Sequence, residues 1–252
     1  MFQQTELLAL AFLSFSFAQV SENFESGWNQ TAWPIYAPDC NQGGKITLDS
    51  TTAHSGKNSI RVDGTGGFCG HIFFGTTKVS SGDVHVRTWL TKRHADICPF
   101  PAKPPMPSPI LTSPSSPCLT PPKGTDKHLR IGGQSKILMY NRESDDVTLP
   151  DLSPQGIATS VPLPTGTWEY FEYHLGTDGS IETWLNGNAI AGLTEKPGVA
   201  NANADQWQRS SIIPNITAVY FGWESYGNDV NTFWYDDITI SGSRVGCNAT
   251  SF

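Results

Sequence analysis

Helical spacing is almost absent from this chain of 252 residues. What recurs instead are short runs in which apolar and polar residues alternate. Nine stand out, at 45–49, 59–63, 71–74, 83–90, 128–131, 168–175, 180–185, 216–223 and 232–240. Alternation sends successive side chains to opposite faces, so each run predicts a strand. Between them, Thr177-Asp-Gly179 and Asn186-Gly-Asn188 supply turn residues that tolerate positive φ. Many short strands with polar turns predict an all-β fold, a jelly-roll β-sandwich of concanavalin-like type with two stacked antiparallel sheets. Composition agrees. Gly at 24, Pro at 18 and eight Trp suit a turn-rich β-protein and argue against a bundle or coiled coil.

One domain, 19–252, is expected, since sandwiches of this length commonly form a single core. The only long apolar run, 7–18, is shorter than the ~20 residues a bilayer span needs. It ends in the small-x-small pattern Ser16-Phe17-Ala18, which predicts a secretory signal over 1–18, although Met1 to Glu6 carries no Lys or Arg. The mature protein is therefore expected to be secreted and extracellular. Sequons at Asn29, Asn215 and Asn248 are compatible with a glycoprotein. Net charge is −7, which disfavours nucleic acid as a partner because nothing would replace counterions on a phosphate backbone. No membrane partner is expected, and a monomer is.

Of five cysteines, Cys40 and Cys69 flank strand-like sequence and suit a disulfide in an oxidising compartment. Cys98 and Cys118 fall in an unusual segment, and Cys247 has no obvious mate. No pair has zinc spacing. The unusual segment is 93–123. Between Pro99 and Pro122, ten of 24 residues are proline, which excludes an internal strand because proline cannot donate to a ladder. The reading favoured is that this segment displaces a core strand through a wrongly joined coding sequence. The alternative is an extended, polyproline-like surface insertion.

Two constellations could carry chemistry. In Lys127-His-Leu-Arg-Ile-Gly-Gly-Gln-Ser135, His128 and Arg130 share one strand face and Leu129 and Ile131 the other. An Arg can bind a carboxylate in bidentate fashion, and a His can move a proton near neutral pH. A solvated outer face explains the pattern equally well. The loop Tyr140-Asn-Arg-Glu-Ser-Asp-Asp146 follows, either lining a cleft or closing its own salt bridge. At the chain ends, Glu25 and Asp236 would meet if the first and last strands pair, with the turn containing Ser55 and Asn58 above them. An all-oxygen set of that kind suits calcium; an acidic strand end facing water is the other reading. On 168–174 both faces carry aromatics, so period alone cannot say which is buried.

The runs Phe24-Glu-Ser-Gly-Trp28, Ala37-Pro-Asp-Cys-Asn-Gln-Gly-Gly44, Cys69-Gly-His-Ile-Phe-Phe-Gly-Thr-Thr77, Lys127 to Ser135, Tyr140 to Asp146, Glu172-Tyr-His-Leu-Gly-Thr-Asp-Gly179 and Val245-Gly-Cys247 closely resemble the core domain of the fungal cellulose-induced secreted protein family. That family is similar to glucuronan lyases and, more remotely, alginate lyases. The resemblance implies a β-jelly roll, a structural calcium site at Glu25, Ser55, Asn58 and Asp236, and a cleft at His128, Arg130, Gln134 and Asp146. It also implies a Cys40–Cys69 disulfide, and a second bridge whose partner position holds Tyr170 here, leaving Cys247 unpaired. The implied activity is β-elimination on a uronic-acid-containing polysaccharide by a polysaccharide lyase, with Arg130 and Gln134 on the carboxylate, His128 as base, and Tyr140 or Tyr173 as candidate acids. The rival is a non-catalytic carbohydrate-binding protein with platforms such as Trp184 or Trp223.

Overall fold

The computed structural model describes residues 19–37, 43–67, 71–79, 82–92, 106–107, 110–112, 128–134, 137–142, 165–190, 193–194, 196, 216–224 and 230–247. Within 106–142 the description covers the backbone and the side chain of Ile131. The strands are β1 (Val20–Glu22), β2 (Ile35–Tyr36), β3 (Lys45–Asp49), β4 (Ser59–Gly64), β5 (Ile72–Thr76), β6 (Val84–Lys92), β7 (Met106–Pro107), β8 (Ile110–Thr112), β9 (His128–Gln134), β10 (Ile137–Arg142), β11 (Glu169–Leu175), β12 (Ile181–Leu185), β13 (Asn188–Ala189), β14 (Ala218–Glu224) and β15 (Asn231–Ser241). They form two antiparallel sheets. The first runs β13-β12-β11-β6-β15-β4-β3, with β1 added along β15; the second runs β10-β9-β8-β14-β5-β2, with β7 on β14.

Alternation sorts each strand into an inward and an outward set. Ile60, Val62, Val86, Phe171, Tyr173, Phe233 and Tyr235 of the first sheet share one core with Ile72, Phe74, Ile131, Val219, Phe221 and Trp223 of the second. Each fully buried aromatic or branched side chain contributes about 1.5–3 kcal/mol of transfer free energy. Phe74 sits at the centre, edge-on to Phe24 at 6.1 Å and tilted against Phe221 at 5.8 Å. Trp223 can lie flat on β4 because Gly64 has no side chain; a Cβ there would stand 2.3 Å from the indole.

The expected strands are all present with ends shifted by at most three residues, and the predicted Asn186-Gly187 turn joins β12 to β13 with both residues at positive φ, 51° and 79°. First and last strands do pair, Val20 opposite Ile240. The proline-rich segment corrects an expectation. Ile110–Thr112 is an internal strand, bonded to β14 on one side and β9 on the other. Prolines surround this triplet but do not enter it, so its three N–H groups are available to the ladder. The register is consistent with the core: Leu111 stands opposite buried Val219 and opposite Leu129, two positions from buried Ile131. The triplet fills the place between β14 and β9, so no core strand is displaced there. The 1–18 segment and Cys40, Cys69, Cys98 and Cys118 lie outside the described residues.

Candidate functional site

β9 is flanked on both sides, by β8 and β10, and carries three of the four expected cleft residues. His128 stands opposite Thr112, Arg130 opposite both Ile110 and Asn141, and Gln134 opposite Ile137. All three have the parity opposite to Ile131, which is fully buried in the core. Asp146, the fourth, lies outside the described residues. Of the candidate acids, Tyr140 stands opposite core-facing Ile131, whereas Asn141 is the neighbour of Arg130. Tyr173 is excluded. It is buried between the sheets, and burial raises its phenol far above the ordinary value, so no substrate proton is within its reach.

The other expected site is assembled on one loop. Glu25 Oε1 accepts the N–H groups of Lys57 and Asn58, both at 2.8 Å. Asp236 Oδ2 accepts those of His54 at 2.9 Å and Ser55 at 3.2 Å. The 54–58 loop is thus held between two carboxylates that come from opposite ends of the sequence. Asn58 Oδ1 accepts the Ser50 hydroxyl at 2.7 Å. Gly56 is at φ 59°, and a Cβ would meet Glu25 Cδ at 2.3 Å, so the loop closes on Glu25 only with glycine there.

Backbone strain marks both carboxylates. Phe24, next to Glu25, has φ 59°, and Asp237, next to Asp236, has φ 47°. Left-handed backbone at such residues costs about 1–3 kcal/mol and persists where packing enforces it. Asp237 lies in a bulge where the β15–β6 register shifts between Asp236 and Thr239. In a regular strand consecutive side chains point apart; the bulge turns Asp236 and Asp237 toward the same loop. Asp237 Oδ1 accepts the Ser55 hydroxyl at 2.8 Å, and its Oδ2 lies 2.6 Å from His54 Nδ1. The His54 ring stacks on Trp89 at 3.7 Å. Burial and the Asp237 charge push the Asp236 carboxyl up to about 7. The Glu25, Ser55, Asn58 and Asp236 set is all oxygen, the donor chemistry of a hard cation. Among the described residues no three His, Cys, Asp or Glu side chains converge on one point, so the loop carbonyls would have to complete a calcium shell.

A third polar cluster escaped the sequence reading. Register resolves the ambiguous strand: Phe171 and Tyr173 enter the core, while Tyr170, Glu172 and His174 lie outward opposite Trp89, Arg87 and His85. Glu172 is nevertheless fully buried. It accepts the Tyr170 hydroxyl, the N–H of Val245 at 2.8 Å and Arg244 Nε at 3.3 Å. Arg244 in turn covers Trp184, 4.2 Å from its ring centre. Arg87 is buried beside Glu172 and donates to Thr239 Oγ1 at 3.0 Å. Cys247 is free and exposed, and Tyr170 is committed to Glu172. Only strand pairing could have revealed this cluster, because Arg87 and Glu172 are 85 positions apart. The platforms proposed for a binding protein fare badly: Trp223 is wholly buried, its indole N–H donating to Thr65 O, and Trp184 is capped by Arg244.

Comparison with known proteins matches this arrangement to a family. A profile of the Cip1-like core domain of polysaccharide lyase-like proteins matches residues 23–243. The solved structure of cellulose-induced protein Cip1 is 56% identical, with a TM-score of 0.75, over 91% of this chain and 100% of that one. An endo-β-1,4-glucuronan lyase from the fungus Trichoderma reesei aligns over 89% of this chain and 95% of its own at 13% identity and a TM-score of 0.56, a likeness of fold alone. A search of curated proteins found no match. The profile takes in the loop held by Glu25 and Asp236, strand β9 and the buried Glu172 cluster together, and the chain belongs to the Cip1-like core-domain family of polysaccharide lyase-like proteins.

Proposed function

We propose that this protein is a secreted polysaccharide lyase that cleaves a uronic-acid-containing polymer, of glucuronan type, by β-elimination. The observation that carries the reading is the placement of His128, Arg130 and Gln134 at one parity on a strand flanked on both sides, within a polysaccharide lyase-like domain. Elimination needs three things from the protein. Arg130, with Gln134, neutralises the C6 carboxylate and stabilises the enolate-like charge that develops as C5–H is lost. His128 takes that proton. The electron pair forms the C4–C5 double bond, the C4–O bond breaks, and an acid yet to be assigned protonates the departing oxygen.

Calcium fits this reading as a structural ion. Glu25, Ser55, Asn58 and Asp236 would hold it, and its charge would offset the adjacent Asp236 and Asp237 carboxylates. The test is incubation of purified protein with glucuronan, alginate, pectate and glucuronoxylan, followed by product analysis. Oligosaccharides with an unsaturated, ultraviolet-absorbing end support the lyase. Retention of a polymer without such products would replace it with a carbohydrate-binding protein.

A further inference from the structure

The second sheet carries a row of residues that crosses its strands at the height of Arg130. In register, Gly75 of β5 opposes Tyr220 of β14, Tyr220 opposes Ile110 of β8, Ile110 opposes Arg130 of β9, and Arg130 opposes Asn141 of β10. Directly opposed residues of antiparallel strands lie on one face of a sheet. The neighbouring positions Val219 and Ile131 are in the core, so the row lies on the face turned away from it. On that face Tyr220 forms a small cluster with Phe73, Ala218 and Tyr36, apart from the main core. The rings of Tyr36 and Tyr220 are stacked, 4.2 Å apart and 14° from parallel.

The geometry points to Tyr36, braced by Tyr220, as an aromatic sugar subsite remote from the reacting one, at the end of a path that runs across the strands from Arg130 through Tyr220. This rests on the lyase reading of β9 and deepens it. Tyr220 and Arg130 are separated by two strand spacings, and Tyr36 and Arg130 by four, about 19 Å between strand axes. That is too far for Tyr36 to act on the sugar whose carboxylate Arg130 holds, and suited to a sugar further along the same chain. Tyr220 is only 8% exposed, while Tyr36 on the edge strand is partly exposed. The outer ring is therefore the one that can meet a ligand, and the inner ring fixes its orientation. A tyrosine presents a large apolar face at little conformational cost and bears a polar tip, the combination suited to a sugar's C–H face and hydroxyls. The occupant is a polyuronate, because Arg130 stands in the same row.

Affinity electrophoresis in gels containing glucuronan separates the possibilities, using the full-length protein and the variants Tyr36→Ala, Tyr36→Trp and Arg130→Ala. Tyr36→Ala should bind about tenfold more weakly, a loss of one stacking contact. Its KM should rise with kcat unchanged, and Tyr36→Trp should retain binding at an equal melting temperature. Tyr36→Ala with wild-type affinity, while Arg130→Ala binds weakly, overturns the subsite and leaves the lyase reading standing. Wild-type protein that neither binds nor cleaves glucuronan overturns both.

Discussion

Two carboxylate clusters on the first sheet have similar burial and opposite electrostatic character. Glu172 is wholly enclosed, yet it accepts a phenol, a guanidinium and a backbone N–H, with the Arg87 guanidinium beside it. Asp236 and Asp237 are as deeply buried, but they are two adjacent negative groups whose carboxylates accept backbone N–H groups and a hydroxyl and meet one imidazole, while Arg87, which also lies near Asp237, donates to its backbone carbonyl at 3.4 Å. The first cluster is complete within the protein. The second raises the Asp236 carboxyl to about 7, the mark of a site short of positive charge. The contrast separates a cluster that secures the chain's C-terminal segment from one suited to a cation.

The largest effect should come from the complete cluster. Glu172→Ala removes the acceptor for Tyr170, Arg244 and Val245 and one of the two carboxylates near buried Arg87, the other being Asp237, so a loss of about 3–5 kcal/mol is expected in urea unfolding. Added calcium should not rescue it. A loss below ~1 kcal/mol would show that Glu172 is not the keystone of its cluster.

The incomplete cluster should respond to calcium instead. A chelator is expected to lower the melting temperature and calcium to restore it; binding at a hundredfold excess over Kd adds about 2.7 kcal/mol. Asp236→Asn should abolish that response while Glu172→Gln retains it. An identical response in both variants would erase the contrast. Gly56→Ala should cost about 2 kcal/mol, through strain at positive φ and the clash with Glu25, and should weaken calcium binding with it.

The smallest expected effect concerns a pair of rings at the far end of the Glu172 strand. His85 and His174 stack at 4.1 Å, and burial, with the nearby His174, holds the His85 imidazole down at about 4. The unfolded chain binds a proton near pH 6.5, and the folded chain not until about pH 4. Stability from this group is therefore present above pH 6.5 and lost as pH falls toward 4. Because the residue is only partly buried, the contribution is expected at about 1 kcal/mol. His85→Gln should flatten that part of the pH–stability curve, measured as the difference from wild type. Parallel curves would assign the acid sensitivity elsewhere.

Much of this was legible in the alternation of residues, and the failures have identifiable causes. Strands such as 45–49 and 232–240 declared themselves through period-two patterns, and Asn186-Gly187 declared its hairpin. Pairing of the first and last strands was expected and is present, and Glu25 and Asp236 hold opposite ends of the 54–58 loop. Ile110–Thr112 was hidden because the surrounding prolines dominate local propensity, while three free N–H groups are enough for a short internal strand. Glu172 and Arg87 were hidden because a charged residue in a strand looks solvent-facing until register shows which neighbours enclose it. The bulge at Asp237 has no signature in the sequence at all.

The central claim, elimination on β9, is tested most directly by the initial rate of unsaturated uronate formation from glucuronan by wild type, Arg130→Ala and His128→Ala, with melting curves recorded alongside. Removing a charge-stabilising donor typically costs about 10²–10³ in rate, and removing a proton-transfer group about 10²–10⁴. The expected result is turnover by wild type and a loss of at least about a hundredfold in each variant, with unchanged melting. Full activity in both variants would contradict the account.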